Sequence, residues 1–321
     1  MKKTAELKPK VSIIGCGNVG MRYAYALIMK GLARSIVITD LDKKRLEGEV
    51  MDLSHGAPYV SPVEILAGDY PDIKGSDLVV ITAGKKQKPG QTRLALAKDN
   101  VEVCRQVVSQ IIKYAPSAII LISTNPVDIL SYAAYKFSSK PANEIIGSGT
   151  VLDTARFRFL LAQHCKIDPH SVHAYILGEH GNSESAIWSN ARVGGVLFKS
   201  YCSTCGNNYS CRHEEELEEI FSEVRDSANK IIEKKGETSY GIGLSLLRIT
   251  QAILHDENAV LPVSSLITDY LDMRDVYLSL PAVVNKKGIR EFLKLELTKK
   301  EEEALKKSAY ALREVIKEVG L

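Results

Sequence analysis

A short apolar run, Val11 to Ile14, breaks directly into Gly15-Cys16-Gly17-Asn18-Val19-Gly20, and a helix-like stretch from Met21 to Lys30 follows. Few sequence features restrict a fold more. Glycines at this spacing permit a tight turn, let the backbone approach a pyrophosphate, and bring a helix N-terminus onto the phosphate charge. Gly15, Gly17, Val19 and Gly20 are therefore the candidates for holding a dinucleotide. A second apolar run, Ser35 to Thr39, ends on Asp40, twenty residues beyond Gly20. A carboxylate there accepts hydrogen bonds from a ribose diol and repels a 2′-phosphate, which selects NAD over NADP. A glycine turn beside an unrelated surface aspartate is the bland alternative. Strand, turn, helix and acid falling in register together weigh against it.

The apolar runs continue at Leu78–Thr82, Ala118–Ser123 and Ile145–Ile146, most of them followed by a longer helix-like stretch. Unbroken apolar runs alternating with helices imply an α/β chain with a parallel sheet buried on both faces. Past residue 150 the pattern changes. We expect a helix from Leu152 to about Cys165, a strand from Ser171 to Leu177, a helix from Ser183 to Arg192 and a Gly-rich segment from Val193 to Leu197. The clearest helix is the last. Thr298 and Glu301 fit a capping box, and Leu305, Ala309, Leu312, Ile316 and Val319 form one apolar stripe. We divide the chain at 1–149 and 150–321. No Gly/Ser-rich linker separates the two parts, so they should share a wide interface.

Composition excludes several classes. A net charge of +3 over 321 residues gives no warrant for nucleic-acid binding. No apolar stretch is long enough to span a bilayer, and no leader is visible. Six cysteines in such a chain suggest free thiols and a cytoplasmic setting. Cys202, Cys205 and Cys211, with His213 just beyond, raise the question of zinc. The spacing is loose for a metal site, and a polar loop with free thiols is the simpler reading, so no metal is expected.

The loop from Gly84 to Arg93 carries Lys85, Lys86, Lys88 and Arg93, no acid, and Gln87 in its midst. Such a stretch suits an anionic ligand. With GCGNVG, the segment ITAGKKQKPGQTRLAL, STNPVDIL, GSGTVLDTARFRFLL and ILGEHGNSE, in this order, resemble the lactate/malate dehydrogenase family over nearly the whole chain. The resemblance implies a Rossmann doubly wound parallel sheet followed by a mixed α/β catalytic domain. It also implies reversible hydride transfer between NADH and a 2-keto acid.

Each candidate residue also has a physical reading. Adding hydride to a ketone requires a proton for the developing alkoxide, and histidine suits proton transfer near neutral pH. His180, in a turn with glycine on both sides, matches the family's catalytic histidine. Asp153 matches the carboxylate that orients it and stabilises its charged form. Arg156, three residues on along a helix, would clamp the substrate carboxylate through two parallel hydrogen bonds. The bland reading of Asp153 and Arg156 is an ordinary surface ion pair. Arg93 matches an arginine that closes with the loop and polarises the keto oxygen. Asn125, a turn residue before proline, matches a residue that bonds the substrate oxygen beside the cofactor, and Thr238 lines the pocket by the same resemblance.

Gln87 stands where malate dehydrogenases carry arginine. The second carboxylate of oxaloacetate needs a cation once water is expelled; the methyl of pyruvate does not. The neutral residue therefore points to pyruvate/lactate, with malate dehydrogenase as the near alternative and a non-catalytic NAD sensor as the distant one. The flanking lysines read as solvated. Arg158 lies two helical steps from Arg156, about 200° round the axis. Arg158 and His173 match positions that bind a fructose 1,6-bisphosphate activator between subunits in bacterial relatives, and a homotetramer is implied on the same ground. Asn182 departs from the family's aspartate and could alter His180 or its turn. Met21 and Arg22 are bulkier than expected, with Arg22 suited to a phosphate contact or to solvent.

Overall fold

The computed structural model describes residues 9–86, 90–204 and 213–321, with backbone alone for Arg93, 202–204 and 213–214. Gln87, Lys88 and the side chains of Arg93, Cys202, Cys205, Cys211 and His213 lie outside the described residues. The first part alternates strand and helix: β1 (Lys10–Ile14), α1 (Asn18–Lys30), β2 (Ser35–Thr39), α2 (Lys43–His55), β3 (Glu64–Ala67), β4 (Leu78–Ile81), α3 (Arg93–Tyr114), β5 (Ile119–Ile122), α4 (Val127–Ser138) and β6 (Ile145–Gly147). The helix α5 (Val151–Cys165) follows. Then come five two-residue strands: β7 (Val172–His173), β8 (Ile176–Leu177), β9 (Ser185–Ala186), β10 (Arg192–Val193) and β11 (Val196–Leu197). The chain ends with α6 (Phe198–Thr204), α7 (His213–Lys235), α8 (Tyr240–Leu254), β12 (Ala259–Ile267), β13 (Val276–Asn285), β14 (Gly288–Phe292) and α9 (Lys299–Glu318).

The six strands up to β6 pair in parallel in the order β3-β2-β1-β4-β5-β6. This is the doubly wound dinucleotide-binding order, with its reversal between β1 and β4. The central strands β4 and β5 are buried at every position, which is why their sequences are continuous apolar runs rather than alternating ones. The sheet does not stop at β6. Ser264 of β12 pairs antiparallel with Gly147, and β13 and β14 extend it to nine strands. The two parts thus share one sheet, where the missing linker led us to expect a wide interface.

The helix expected over Ser183–Arg192 does not form. Ser185 and Ala186 pair instead with Leu177 and Ile176, and a turn follows to β10. Ile187 and Ala191 keep helical spacing, but the backbone of Ser185 and Ala186 is taken by pairing with β8 instead. The expected strand Ser171–Leu177 is interrupted, giving β7 and β8 in different small sheets.

The last helix follows its sequence closely. Thr298 accepts from the Glu301 N–H, and Glu301 accepts from the Thr298 N–H. Leu305, Ala309, Leu312 and Ile316 are buried, each larger side chain contributing about 1.5–3 kcal/mol before ordering entropy is subtracted. Glu301 also accepts from the Ser189 N–H and hydroxyl, fixing the turn that replaces the expected helix. No helix among the described residues is long and apolar enough to cross a membrane.

Candidate active site

The sheet reversal opens a cleft of about 790 Å³ whose lining includes Gly15, Gly17, Asp40, Thr82 and Lys85. Three glycines there do different work. Gly15 has φ +114°, and a Cβ on it would sit 2.7 Å from the Ala83 nitrogen. A Cβ on Gly20 would meet the Gly15 carbonyl at 2.1 Å, so the helix could not pack this close to the turn. A Cβ on Gly17 would meet nothing within 4 Å; this glycine faces the open cleft. Gly17 is the N-cap of α1 and offers no side-chain cap, so the first-turn N–H groups near Val19 and Gly20 keep donors for a ligand. Val19 itself packs half-buried on the adjacent core.

Asp40 is held ready as an acceptor. Its two oxygens take the N–H groups of Cys16 (2.7 Å) and Asp42 (3.0 Å). Burial works against its charge, but these backbone donors prevail and hold the carboxyl below its usual range. Cradle, uncapped helix and anionic acceptor all suit a dinucleotide without a 2′-phosphate. Arg22 is half-buried, its guanidinium 5.0 Å from the centre of the Tyr240 ring. Asn18 of the glycine turn donates to Glu237, which ties the segment bearing half-buried Thr238 to the nucleotide turn.

The second cluster gathers on the other side of β6. Asp153, in the first turn of α5 and 3% exposed, accepts from Arg156 Nη1 at 2.7 Å and from His180 Nδ1 at 2.5 Å. Burial opposes its ionisation, yet the imidazole and the guanidinium hold its pKa down. Burial likewise pulls His180 down. The charge and hydrogen bond of Asp153 outweigh it, Asp128 and Glu184 add to them, and the pKa rises to about 9. With Nδ1 committed to Asp153, Nε2 remains for a reactant, and the side chain is 27% exposed. Among the described residues nothing else accepts from Arg156, so its other N–H donors remain for an anion.

Several residues that the sequence reading passed over hold this geometry. Asp128, buried in α4, accepts the His180 backbone N–H at 2.8 Å and the Ser264 hydroxyl at 2.5 Å. Ser308 of α9 accepts the Glu179 N–H at 2.7 Å, and Gly178 (φ +96°) leaves room for that contact. Thr154 accepts the Ile176 N–H at 3.0 Å, which locks α5 to β8 and so Asp153 to the His180 turn. Buried Asn100 joins the base of the basic loop to the Asn125 turn, accepting from Lys85 N–H (2.7 Å) and donating to the Asn125 carbonyl (2.9 Å). The Asn125 side chain is exposed, and the Asn125–Pro126 peptide is cis. Lys85 is not simply solvated: it pairs with Asp99 at 2.9 Å, and Asp99 also accepts from Gln91. Asn182 is exposed and is not among the groups that shift His180.

Arg158 and Arg156 separate as their spacing requires. Arg158 is half-buried beside Tyr175, away from Asp153, and no described acid pairs with it. His173 is exposed on β7, two residues before Tyr175 and opposite Arg192 across the strand pair.

Comparison with known proteins agrees with this geometry. The family model for the lactate/malate dehydrogenase NAD-binding domain matches residues 9–147, and that for the α/β C-terminal domain of the same family matches residues 150–320. The L-lactate dehydrogenase of Kosmotoga olearia is 51% identical over 311 residues, covering 97% of this chain and 96% of that protein. That of Thermoanaerobacter sp. (strain X514) is 48% identical over 312 residues, covering 97% of this chain and 99% of that protein. The crystal structure of a lactate dehydrogenase from a Medee basin deep-sea metagenome superposes with a TM-score of 0.94 at 45% identity, covering 98% and 99% of the two chains. A dinucleotide cradle and a His–Asp–Arg cluster on one sheet, matched along both parts of the chain, place it in the lactate/malate dehydrogenase family.

Proposed function

We propose that the protein is an NAD-dependent oxidoreductase that interconverts pyruvate and L-lactate. The observation that carries this reading is Asp153, one buried carboxylate engaged at once by His180 and Arg156. It orients an acid/base and an anion clamp toward the same space. When bound, the nicotinamide supplies hydride to the keto carbon of pyruvate or takes it back from lactate. His180 holds a proton at Nε2 and delivers it to the developing alkoxide, while Asp153 stabilises the imidazolium before transfer. Arg156 grips the substrate carboxylate through its remaining donors. Arg93 polarises the keto oxygen as its loop closes, and Asn125 and Thr238 complete the pocket wall. Residues 1–149 hold the cofactor, through Gly15, Gly17, Val19, Gly20, Asp40 and Asn125; residues 150–321 hold the substrate.

Substrate choice rests on Gln87. An amide facing the methyl of pyruvate leaves no charge unpaired, whereas it would strand the second carboxylate of oxaloacetate. Arg158 and His173 form the sugar-bisphosphate site of a homotetramer in this reading. What supports it is the half-buried Arg158 guanidinium, with which no described acid pairs, beside Tyr175, two residues past His173. The test of the activity is direct: NADH mixed with the protein and pyruvate should lose its absorbance while lactate accumulates in equal amount. Unchanged absorbance with folded protein would refute it.

A further inference from the structure

Glu184 has no part in the chemistry above, yet it is buried against it. It follows His180 by four residues in the turn that leads to β9, and is 8% exposed. Its Oε1 is buried with no hydrogen-bond partner. One of its carboxyl oxygens lies within 4.8 Å of a carboxyl oxygen of Asp153 and a ring nitrogen of His180. The charged groups that act on it are Asp153 and Arg156 from α5, His180 from its own turn, and Arg225 from α7; Asp128 of α4 faces His180 from the other side. Two carboxylates this close cannot both ionise cheaply in a water-poor site, and an unpaired buried oxygen raises the cost further.

Charge balance then identifies which one stays neutral. Asp153 has two cationic partners and keeps its charge. Glu184 has no hydrogen-bonded cation among the described residues, so of the two carboxyls it is the one whose ionisation costs more. A substrate carboxylate gripped by Arg156 brings a further negative charge beside it and raises that cost. We propose that Glu184 stands beside the site as a neutral carboxylic acid, and that binding of the substrate carboxylate draws a proton onto it whenever it is ionised. Burial first, then the charge of Asp153, push its pKa up to about 8, so the uptake falls in the alkaline range where His180 also titrates. This inference rests on the pyruvate reading given above.

The test measures protons. Oxamate, a pyruvate isostere whose carbonyl belongs to an amide, is titrated calorimetrically into the enzyme–NADH complex in buffers of different ionisation enthalpy. Near the alkaline end of the range, binding should take up more than one proton, because His180 alone can accept only one. In Glu184→Gln the uptake should fall by about one proton. Steady-state profiles give a second readout: above pH 9, log kcat/KM for pyruvate should fall with a slope approaching about −2 in the wild type and about −1 in the variant. If the variant does not fold, the wild-type proton count decides alone. Oxamate binding and pyruvate turnover with no more than one proton taken up, or with equal uptake in both proteins, overturns the inference. Absence of both binding and turnover would instead refute the functional reading, and this inference with it.

Discussion

His180→Ala is expected to lower kcat for pyruvate reduction by about 10²–10⁴-fold, the usual range for a lost general acid. The fold around it should survive, because the residue is tied to Asp128 by its backbone N–H, which alanine retains. The wild-type pH profile carries the same signature. Reduction requires His180 protonated, and its pKa is raised to about 9, so activity toward pyruvate holds through neutral pH and declines as pH passes that value. Lactate oxidation requires the neutral imidazole and should rise across the same interval. Stopped-flow traces of NADH loss with pyruvate, and of NADH formation with lactate and NAD, check the two limbs at several pH values. A variant that keeps wild-type kcat would remove His180 from the mechanism.

Arg156→Lys should be nearly as damaging, although it preserves charge. The guanidinium spends one nitrogen on Asp153 and has others left for a carboxylate, in one rigid plane. An ammonium cannot serve both partners with that geometry. We expect kcat/KM for pyruvate to fall by roughly 10²-fold, about 3 kcal/mol, from loss of the paired hydrogen bonds and weakened support of buried Asp153. Most of the loss should fall on KM. The check is steady-state kinetics beside a calorimetric measurement of NADH affinity, which should change little. Wild-type KM in the variant would show that the substrate carboxylate binds elsewhere.

Much of this architecture was legible in the sequence because its parts are local. A strand, a glycine turn and a helix within twenty-one residues, Lys10 to Lys30, declare the nucleotide cradle, since the three follow one another without a break. Thr298 and Glu301 declare the start of α9 for the same reason. The long pair β12–β13 gave no such signal. Pro262 and Pro281 sit directly opposite one another within it, and proline inside an apolar run argues against a strand. β12 is buried on both faces over residues 261–265, and β13 along nearly its whole length, so neither shows alternation. Strands of two residues, such as β7 to β11, are too short for any period to register.

The site divides along the same line. Asp153 and Arg156 share one helical turn, and His180 sits in a glycine-flanked turn beyond a strand, so residue type and spacing were informative. Asp128, Glu184 and Ser308 work through contacts with other elements, and nothing beside them in sequence reveals that. A hint existed for two of them: Asp128 is a charged residue in the first turn of a mostly apolar helix, and Glu184 is a carboxylate four residues beyond His180. Of the loop lysines, Lys85 is exposed as read but also pairs with an aspartate fourteen residues away on α3, a contact its neighbours in sequence do not reveal.

Substrate choice through charge balance is tested most directly by measuring kcat/KM for pyruvate and for oxaloacetate side by side, with NADH at neutral pH. One guanidinium for one carboxylate, with an amide at Gln87, predicts that pyruvate is favoured on the order of 10²-fold or more, as stranding a buried charge costs several kcal/mol. Equal values, or a preference for oxaloacetate, would contradict it.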